Sequence, residues 1–580
     1  MHERRLNGPQ TTGRTYRNLS QPRYATAEDL DVAVPMRDGV TLMADVFRPD
    51  GAGAGPVPAL IAASAYPRQM QNTSVPMGFV EAGATDFWVP RGYAHVIANV
   101  RGTGGSGGTY GFFDQTERED MHDLVEWVAA QPWCDGNVGM IGISYFAITQ
   151  LMAATQRPPH LRAIFPVAAT ADLYEAAYHH GLFSATFING WLGAVGILAG
   201  KDGAMFRGRT AALAERLLKS PRVHERLEHF NGEAALAVLS KLMPGSYAAD
   251  PFGDLWFAVA TEHPTRDAFW DERDLTALLE GIDLPVYVGC DWENVPMHLP
   301  ATFAVWDVLE RSGAPRRMGM LGAGGLTWPW ESLHGEALAW FDHWLKGADT
   351  GIMEGPPVRF VLPGDDPERF HEAASWPPPQ ARAAELALRG DGSLQATGGR
   401  DGDRSFAVLP ASVPTPRGAP PLPLPGSLSW ATAPLAAAVD VAGPVELRLR
   451  ATTSAADTDW IALLEDVAPD GTATPVTAGW LRASLRAVDE AASAPGAPVV
   501  PCRERTPVPA GEPVDYRVPL VTNARRFAAG HRIRVTLSGT DEAKDAAVMM
   551  SFRHIPVGLP ARNTVHGGAL VLPLIAGTLS

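Results

Sequence analysis

The residues best placed to do chemistry are Gly142-Ile143-Ser144-Tyr145-Phe146-Ala147. They follow the apolar run VGMIG and precede ITQLMAA, which suits a helix. Strand, tight turn and helix are the setting in which a G-x-S-x-G string becomes a nucleophile elbow, with the serine at a strained corner. Small residues are needed there because the turn passes close to its neighbours. The last of them here is Ala147 rather than glycine. The Tyr145 backbone N–H, at the start of the helix, would face an oxyanion forming on a carbonyl attacked by Ser144. The competing reading of so short a string is a buried structural serine.

A serine hydroxyl is a weak nucleophile without a base. Of the 16 histidines, none sits in H-E-x-x-H or in a His/Cys cluster with ligand spacing, so no metal and no cofactor is expected. Cys134, Cys290 and Cys502 are far apart and odd in number, which suits neither a disulfide framework nor a metal site. The glycine-rich RGTGGSGG from Arg101 lacks the Lys-Ser/Thr ending of a phosphate loop. Its expected role is to let a loop pass close to the active site.

These residues need a scaffold, and 580 residues are enough for two to four domains. With 46% hydrophobic and 19% charged residues, a large core can be buried. A net charge of -16 argues against a nucleic-acid partner. The polar N-terminus shows no signal-peptide pattern and no apolar run spans a membrane, so the expectation is a cytoplasmic protein with no membrane partner. Residues 1–30 read as a loose arm. From Asp31 a hairpin around Arg37-Asp38-Gly39 gives way to apolar runs at 58–66, 94–102, 138–144 and 161–170. Between them lie helical stretches, the clearest a capping box at Thr116 and Glu119 followed by Met121, Leu124, Val125 and Val128 on one face. This alternation predicts a mostly parallel, doubly wound α/β sheet. It fades over 176–274, which reads as a helical cap, resumes over 275–354, and yields after 355 to alternating strands that read as a β-sandwich. The Pro-rich SVPTPRGAPPLPLPGS reads as a surface traverse.

The runs RGTGGSGGTYGFF and REDMHDLVEWVAAQPWCDGNVGMIGISYFAITQLMAA, with EALAWFDHWLKG, GWLRASLR and RRFAAGHRIRVTLSGTD, resemble the cocaine-esterase and X-Pro dipeptidyl-peptidase (CocE/NonD) family of serine hydrolases. The resemblance covers most of the chain from Asp31 to about Asp541 and is weakest in the cap. It implies an α/β-hydrolase core over 31–175 and 275–354, an inserted helical cap over 176–274, and a C-terminal jelly-roll β-sandwich over 355–580. It also implies an acyl-enzyme on Ser144, with the Tyr66 hydroxyl joining the Tyr145 N–H in the oxyanion hole. Tyr66 could instead be an aromatic that only closes the core.

Two family positions depart from the pattern. Aligned without gaps from Pro285, the family's G-W-x-D string falls on Asp291-Trp292-Glu293-Asn294, so Asn294 holds the acid slot, flanked by Asp291 and Glu293. The histidine string falls on Gly322 to Leu326, and Leu326 cannot accept a proton. His334 is the nearest imidazole downstream, with His298 and the pair His179-His180 as the other choices. His180, His298, Trp292 and Trp328 are expected to line the substrate site, with Trp328 and Trp330 as a floor for an acyl group or as core. The chain thus reads as a serine hydrolase for a small-molecule ester, or less readily an amide, working alone or as a homodimer. Two alternatives stand: a degenerate hydrolase that binds without turnover, and an acyltransferase. Asp457 and Asp459 are expected to fix a turn or a domain contact.

Overall fold

The computed structural model describes residues 10–51, 53, 55–73, 80–198, 216, 220, 222, 251–293, 295–322, 332–397, 401–409, 424–541 and 553–579. Its first sheet contains β1 (Ala25–Pro35), β2 (Thr41–Asp50), β3 (Val57–Ser64), β4 (Ala94–Asn99), β5 (Cys134–Met140), β6 (Leu161–Ile164), β7 (Val286–Asp291), β8 (Arg316–Leu321), β9 (Val358–Val361) and β10 (Phe370–Ala373). Their spatial order is β1-β2-β4-β3-β5-β6-β7-β8-β9-β10. In that order the strands from β4 to β9 run parallel, β2 and β10 run against them, and β1 pairs antiparallel with β2. All six residues of β4 and seven of the eight in β3 are buried, as strands covered on both faces must be. The α/β-hydrolase fold is therefore present.

Helix α1 (Gln115–Ala129) buries Met121, Leu124, Val125 and Val128 on the expected face, but its cap differs from the expectation. Asp114, not Thr116, is the N-cap, and its carboxylate accepts from the Glu117 N–H. Glu117 in turn accepts from the Phe113 N–H at 2.9 Å. The box starts two residues earlier because Asp114 holds extended backbone at the turn, which leaves Thr116 inside the helix.

The N-terminal arm is not loose where it is described. Thr12 is fully buried and gives both its N–H and its hydroxyl to Glu336, and Ser20 does the same to Asp342. Both carboxylates belong to helix α4 (His334–Lys346), so the arm straps that helix to the sheet, where Glu336 also accepts from the Tyr287 hydroxyl. The strand begins at Ala25, before the Asp31 at which the apolar pattern starts, because β1 is an exposed edge that needs no apolar face.

A second sheet, all antiparallel and in keeping with a β-sandwich, is built on the long strands Val439–Thr453, Val514–Phe527 and Ala561–Ala576. The first sheet runs past residue 355 to Ala373 before this begins. The two units share a core in which Ile461, Ala478, Trp480, Leu485 and Ala524 pack with the hydrolase residues. Asp457 accepts from the N–H groups of Thr458 and Ser484, and Asp459 pairs with Arg482, so both hold loop structure as expected. Within the stretch read as a cap, Ala185–Leu198 and Phe252–Phe257 form helices. Most of 199–250 and of the Pro-rich stretch lies outside the described residues. No helix among the described residues is long and apolar enough to cross a membrane.

Removing residues 1–13 takes the Thr12 partners from Glu336, which is only 2% exposed. Leaving a buried charged acceptor short of donors should lower stability by about 1–3 kcal/mol. Chemical denaturation of the truncated and full-length proteins checks this, and equal midpoints would show that the strap carries no load.

Candidate active site

Three strand ends build the floor of the site. Isolated bridges join Ile143 to Val167 and Val167 to Gly289, which sets the ends of β5, β6 and β7 side by side. Ser144 follows Ile143 with φ 57° and ψ -120°, and heads helix α2 (Tyr145–Gln156). Its N–H donates to Ala168 C=O at 3.2 Å. It is the one residue from Gly142 to Ala154 that is not fully buried. Gly142 has no substitute: a Cβ there would lie 2.4 Å from the Phe146 Cβ, on a backbone with φ 121°.

Tyr66 follows β3 and stands over the serine. Its oxygen accepts from the Trp191 indole N–H at 2.9 Å, and the Ser144 hydroxyl faces it. Burial, and then the charge of Glu81, holds the phenol well above its ordinary range, so it keeps its proton as a donor. The Asn99 amide fixes this corner by donating to Tyr66 C=O at 2.7 Å and to Ser64 C=O at 3.2 Å. A Cβ on Gly104 would strike the Asn99 side chain at 2.0 Å. The glycine-rich loop is therefore glycine-rich because it lies on the amide that holds Tyr66.

The Tyr145 side chain turns away into the core. Its hydroxyl donates to Glu117 at 2.7 Å, and its ring meets Tyr66 edge-on at 5.8 Å. Burial pushes Glu117 up to about 8 against the pull of that hydrogen bond, so the carboxyl is mostly protonated at neutral pH.

The remaining candidates divide. His298 is buried beside the elbow's own neighbours: its Nδ1 is 3.1 Å from the Thr170 hydroxyl, and the ring also bonds the Ala169 backbone, next to the Ala168 that accepts from Ser144. Burial drives it down to about 4, so it is a neutral imidazole at pH 7. His334 is fully buried at the start of α4, stacked on Phe87 at 4.6 Å and edge-on to Trp88 at 5.8 Å. Asp291 is buried at the end of β7 and Glu293 is half-buried beyond it. Trp292 departs from its expected place in the substrate site. Its indole donates to Val361 C=O at 2.7 Å and its ring packs on Phe303 and Trp376, so it is part of the core beneath the second domain. His180 is half-buried with φ 47°, and its C=O accepts from the Arg482 N–H. Asn294, Leu326, Trp328 and Trp330 lie outside the described residues. Among the described residues no group of His, Cys, Asp or Glu is arranged to hold a metal ion. Sequence reasoning did not find Trp191 or Glu81, which carry no motif, or Glu117, whose capping position gives no sign that it also meets Tyr145.

Residues 38–325 match the profile of the X-Pro dipeptidyl-peptidase (S15 family), and residues 350–548 match the X-Pro dipeptidyl-peptidase C-terminal non-catalytic domain. The chain belongs to the S15 family of X-Pro dipeptidyl-peptidases and their esterase relatives. It is similar to the cocaine esterase of Rhodococcus sp., 28% identical over 618 residues, covering 95% of this chain and 99% of that protein. Among solved structures, a CocE/NonD family hydrolase from Staphylococcus aureus superposes with a TM-score of 0.74 at 20% identity, covering 95% of this chain and 94% of that one. An α-amino acid ester hydrolase gives 0.69 at 20% identity, covering 98% and 99%. Both support the fold. This S15 chain is thus a member of a serine-hydrolase family that contains esterases and dipeptidyl-peptidases.

Burial of titratable groups gives stability a two-sided pH dependence. Glu117 binds its proton more tightly folded than unfolded, so its contribution is full below about 4.5 and is lost as pH rises through about 8. His95 and His298 are held neutral at about 4, so their contribution is full above about 6.5 and is lost as pH falls. In Glu117→Gln, the alkaline fall in melting temperature should flatten while the acid fall stays. An unchanged alkaline limb, measured by thermal melts from about pH 5 to 9, would remove Glu117 from this role.

Proposed function

We propose that this protein hydrolyses small carboxylic esters through an acyl-enzyme on Ser144. The observation that carries the proposal is Ser144 at a left-handed elbow, its hydroxyl facing a Tyr66 phenol that keeps its proton. Ser144 Oγ attacks the ester carbonyl as its proton passes to His298. The electrons of the C=O move onto oxygen, where the Tyr66 O–H and the Tyr145 N–H receive them. The Trp191 N–H on the Tyr66 oxygen polarises the phenol and strengthens it as a donor. Collapse expels the alkoxide, which takes the proton back from His298. Water then repeats the sequence and frees the acid.

His298 is assigned the proton because it bonds the segment that also holds Ser144, and because its neutral ring has a lone pair at pH 7. An imidazole pushed down to about 4 is a weak base that activates the serine only modestly, which suits the more electrophilic carbonyl of an ester better than that of an amide. The likeness to a cocaine esterase along nearly the whole chain supports the same class. Binding without turnover is the second reading, favoured by Asn294 and Leu326 at the family's acid and histidine slots.

Steady-state kinetics with p-nitrophenyl esters test the proposal. Tyr66→Phe should lower kcat about 10²–10³-fold with little change in KM, because an oxyanion donor acts in the transition state. His298→Ala should lower kcat, and His334→Ala should not. Loss of turnover in His334→Ala alone would move the base to His334, and absence of turnover in the wild type would leave the binding reading. An added amine that diverts the acyl group from water would make the protein a transferase.

A further inference from the structure

A second chain of titratable groups lies at the seam between the domains, outside the chemistry above. His179 sits in the ribbon Tyr178–His179 paired with Leu182–Phe183. One ring nitrogen, Nε2, is 2.5 Å from Pro296 C=O, in the loop between Asp291 and His298. The other, Nδ1, is 2.5 Å from Nε2 of His554 in the C-terminal domain. His554 Nδ1 is 3.1 and 3.2 Å from the two oxygens of Asp541, which also accepts from the His554 backbone N–H at 2.7 Å. Both rings are buried, and Trp480 packs against each of them.

The ends of this chain fix its protons. A carbonyl only accepts, so His179 Nε2 carries a proton. Asp541 is held below the usual carboxylate range by its bonds to His554, so it too accepts and His554 Nδ1 carries a proton. The bond between the rings needs a third proton. Two neutral imidazoles have only two N–H groups, so the pair holds one excess proton, balanced by the Asp541 charge. Burial and the neighbouring His554 and His180 keep His179 neutral. The charged groups facing the pair are Arg482 and Asp459, which bond Ile555 C=O and the Val557 N–H next to His554, and the neutral His180 lies beside His179.

We propose that Asp541, His554 and His179 form a proton-held link that positions the loop carrying His298, so that the C-terminal domain sets the competence of Ser144. His179 is a positioning residue here, and the proposal rests on His298 as the base. A fourth proton would set N–H against N–H between the rings, and loss of the third would leave a lone pair facing a lone pair. The link therefore holds over a window of pH and opens on both sides of it.

The test uses the full-length protein and two readouts from about pH 5 to 9: hydrogen exchange of the peptide spanning 286–300, and the rate of Ser144 labelling by a fluorophosphonate. His179→Ala should speed exchange in that peptide and slow labelling about 10–10²-fold, the scale expected for a displaced catalytic group. His179→Gln keeps an amide N–H for Pro296 C=O and cannot take a proton. It should restore both readouts to within a few-fold and flatten the acid limb of the labelling profile. Asp541→Asn, which keeps the shape, should act in the direction of His179→Ala if that variant does not fold. Unchanged exchange or unchanged labelling in His179→Ala, or no rescue by Gln, overturns the link. Wild-type labelling in His298→Ala overturns the assignment of the base, a result that can be told apart because exchange in the His179 variants is read separately.

Discussion

The site depends on one strained residue. Ser144 adopts a left-handed backbone that costs a non-glycine residue about 1–3 kcal/mol, and such a conformation persists only when its surroundings over-determine it. Here they do. The bridges Ile143–Val167–Gly289 lock three strand ends into a row, Ala168 receives the Ser144 N–H, and the Ala168 N–H is itself held by Gly289 C=O at 2.7 Å. Gly142 lets the chain cross Phe146 at a distance no side chain would permit. The outcome is a hydroxyl at the surface of an otherwise buried turn, with a helix N-terminus behind it.

Around that corner, dryness does the electrostatic work. Tyr66, Tyr145 and Glu117 keep their protons because burial penalises their charged forms, so the groups under the elbow are hydrogen-bond donors and acceptors rather than ions. His298 stays neutral for the same reason. The second domain adds to this seclusion. Trp292 clusters beneath it with the stacked rings of Phe303 and Trp376, and Asn523 donates to Trp292 C=O at 3.4 Å, so the loop after β7 has a C-terminal-domain wall on one side.

The elbow and the layered architecture are legible because each is written locally, whereas Tyr66 enters only through the family resemblance. A serine between a strand and a helix, and apolar runs spaced by amphipathic helices, need no knowledge of distant contacts. The capping box was misplaced by two residues because Asp114 and Thr116 are both good caps, and only the course of the preceding turn chooses between them. Trp292 was read as part of the pocket because sequence shows a tryptophan beside acids but not the domain that covers it. Trp191 stays hidden for a related reason: it reaches Tyr66 across 125 residues with no periodic or motif signal, and the capping position of Glu117 says nothing of its bond to Tyr145. His179, in the sequence one of the alternative imidazoles for the base, meets His554 375 residues away.

The central claim is that Ser144 carries an acyl group during turnover. Intact-protein and peptide mass measurement after brief exposure to p-nitrophenyl acetate tests it directly. The account predicts an acetyl mass on the peptide containing Ser144, lost with time in water and absent in Ser144→Ala. Release of nitrophenol with no adduct on that peptide, or with the same rate in Ser144→Ala, would contradict it.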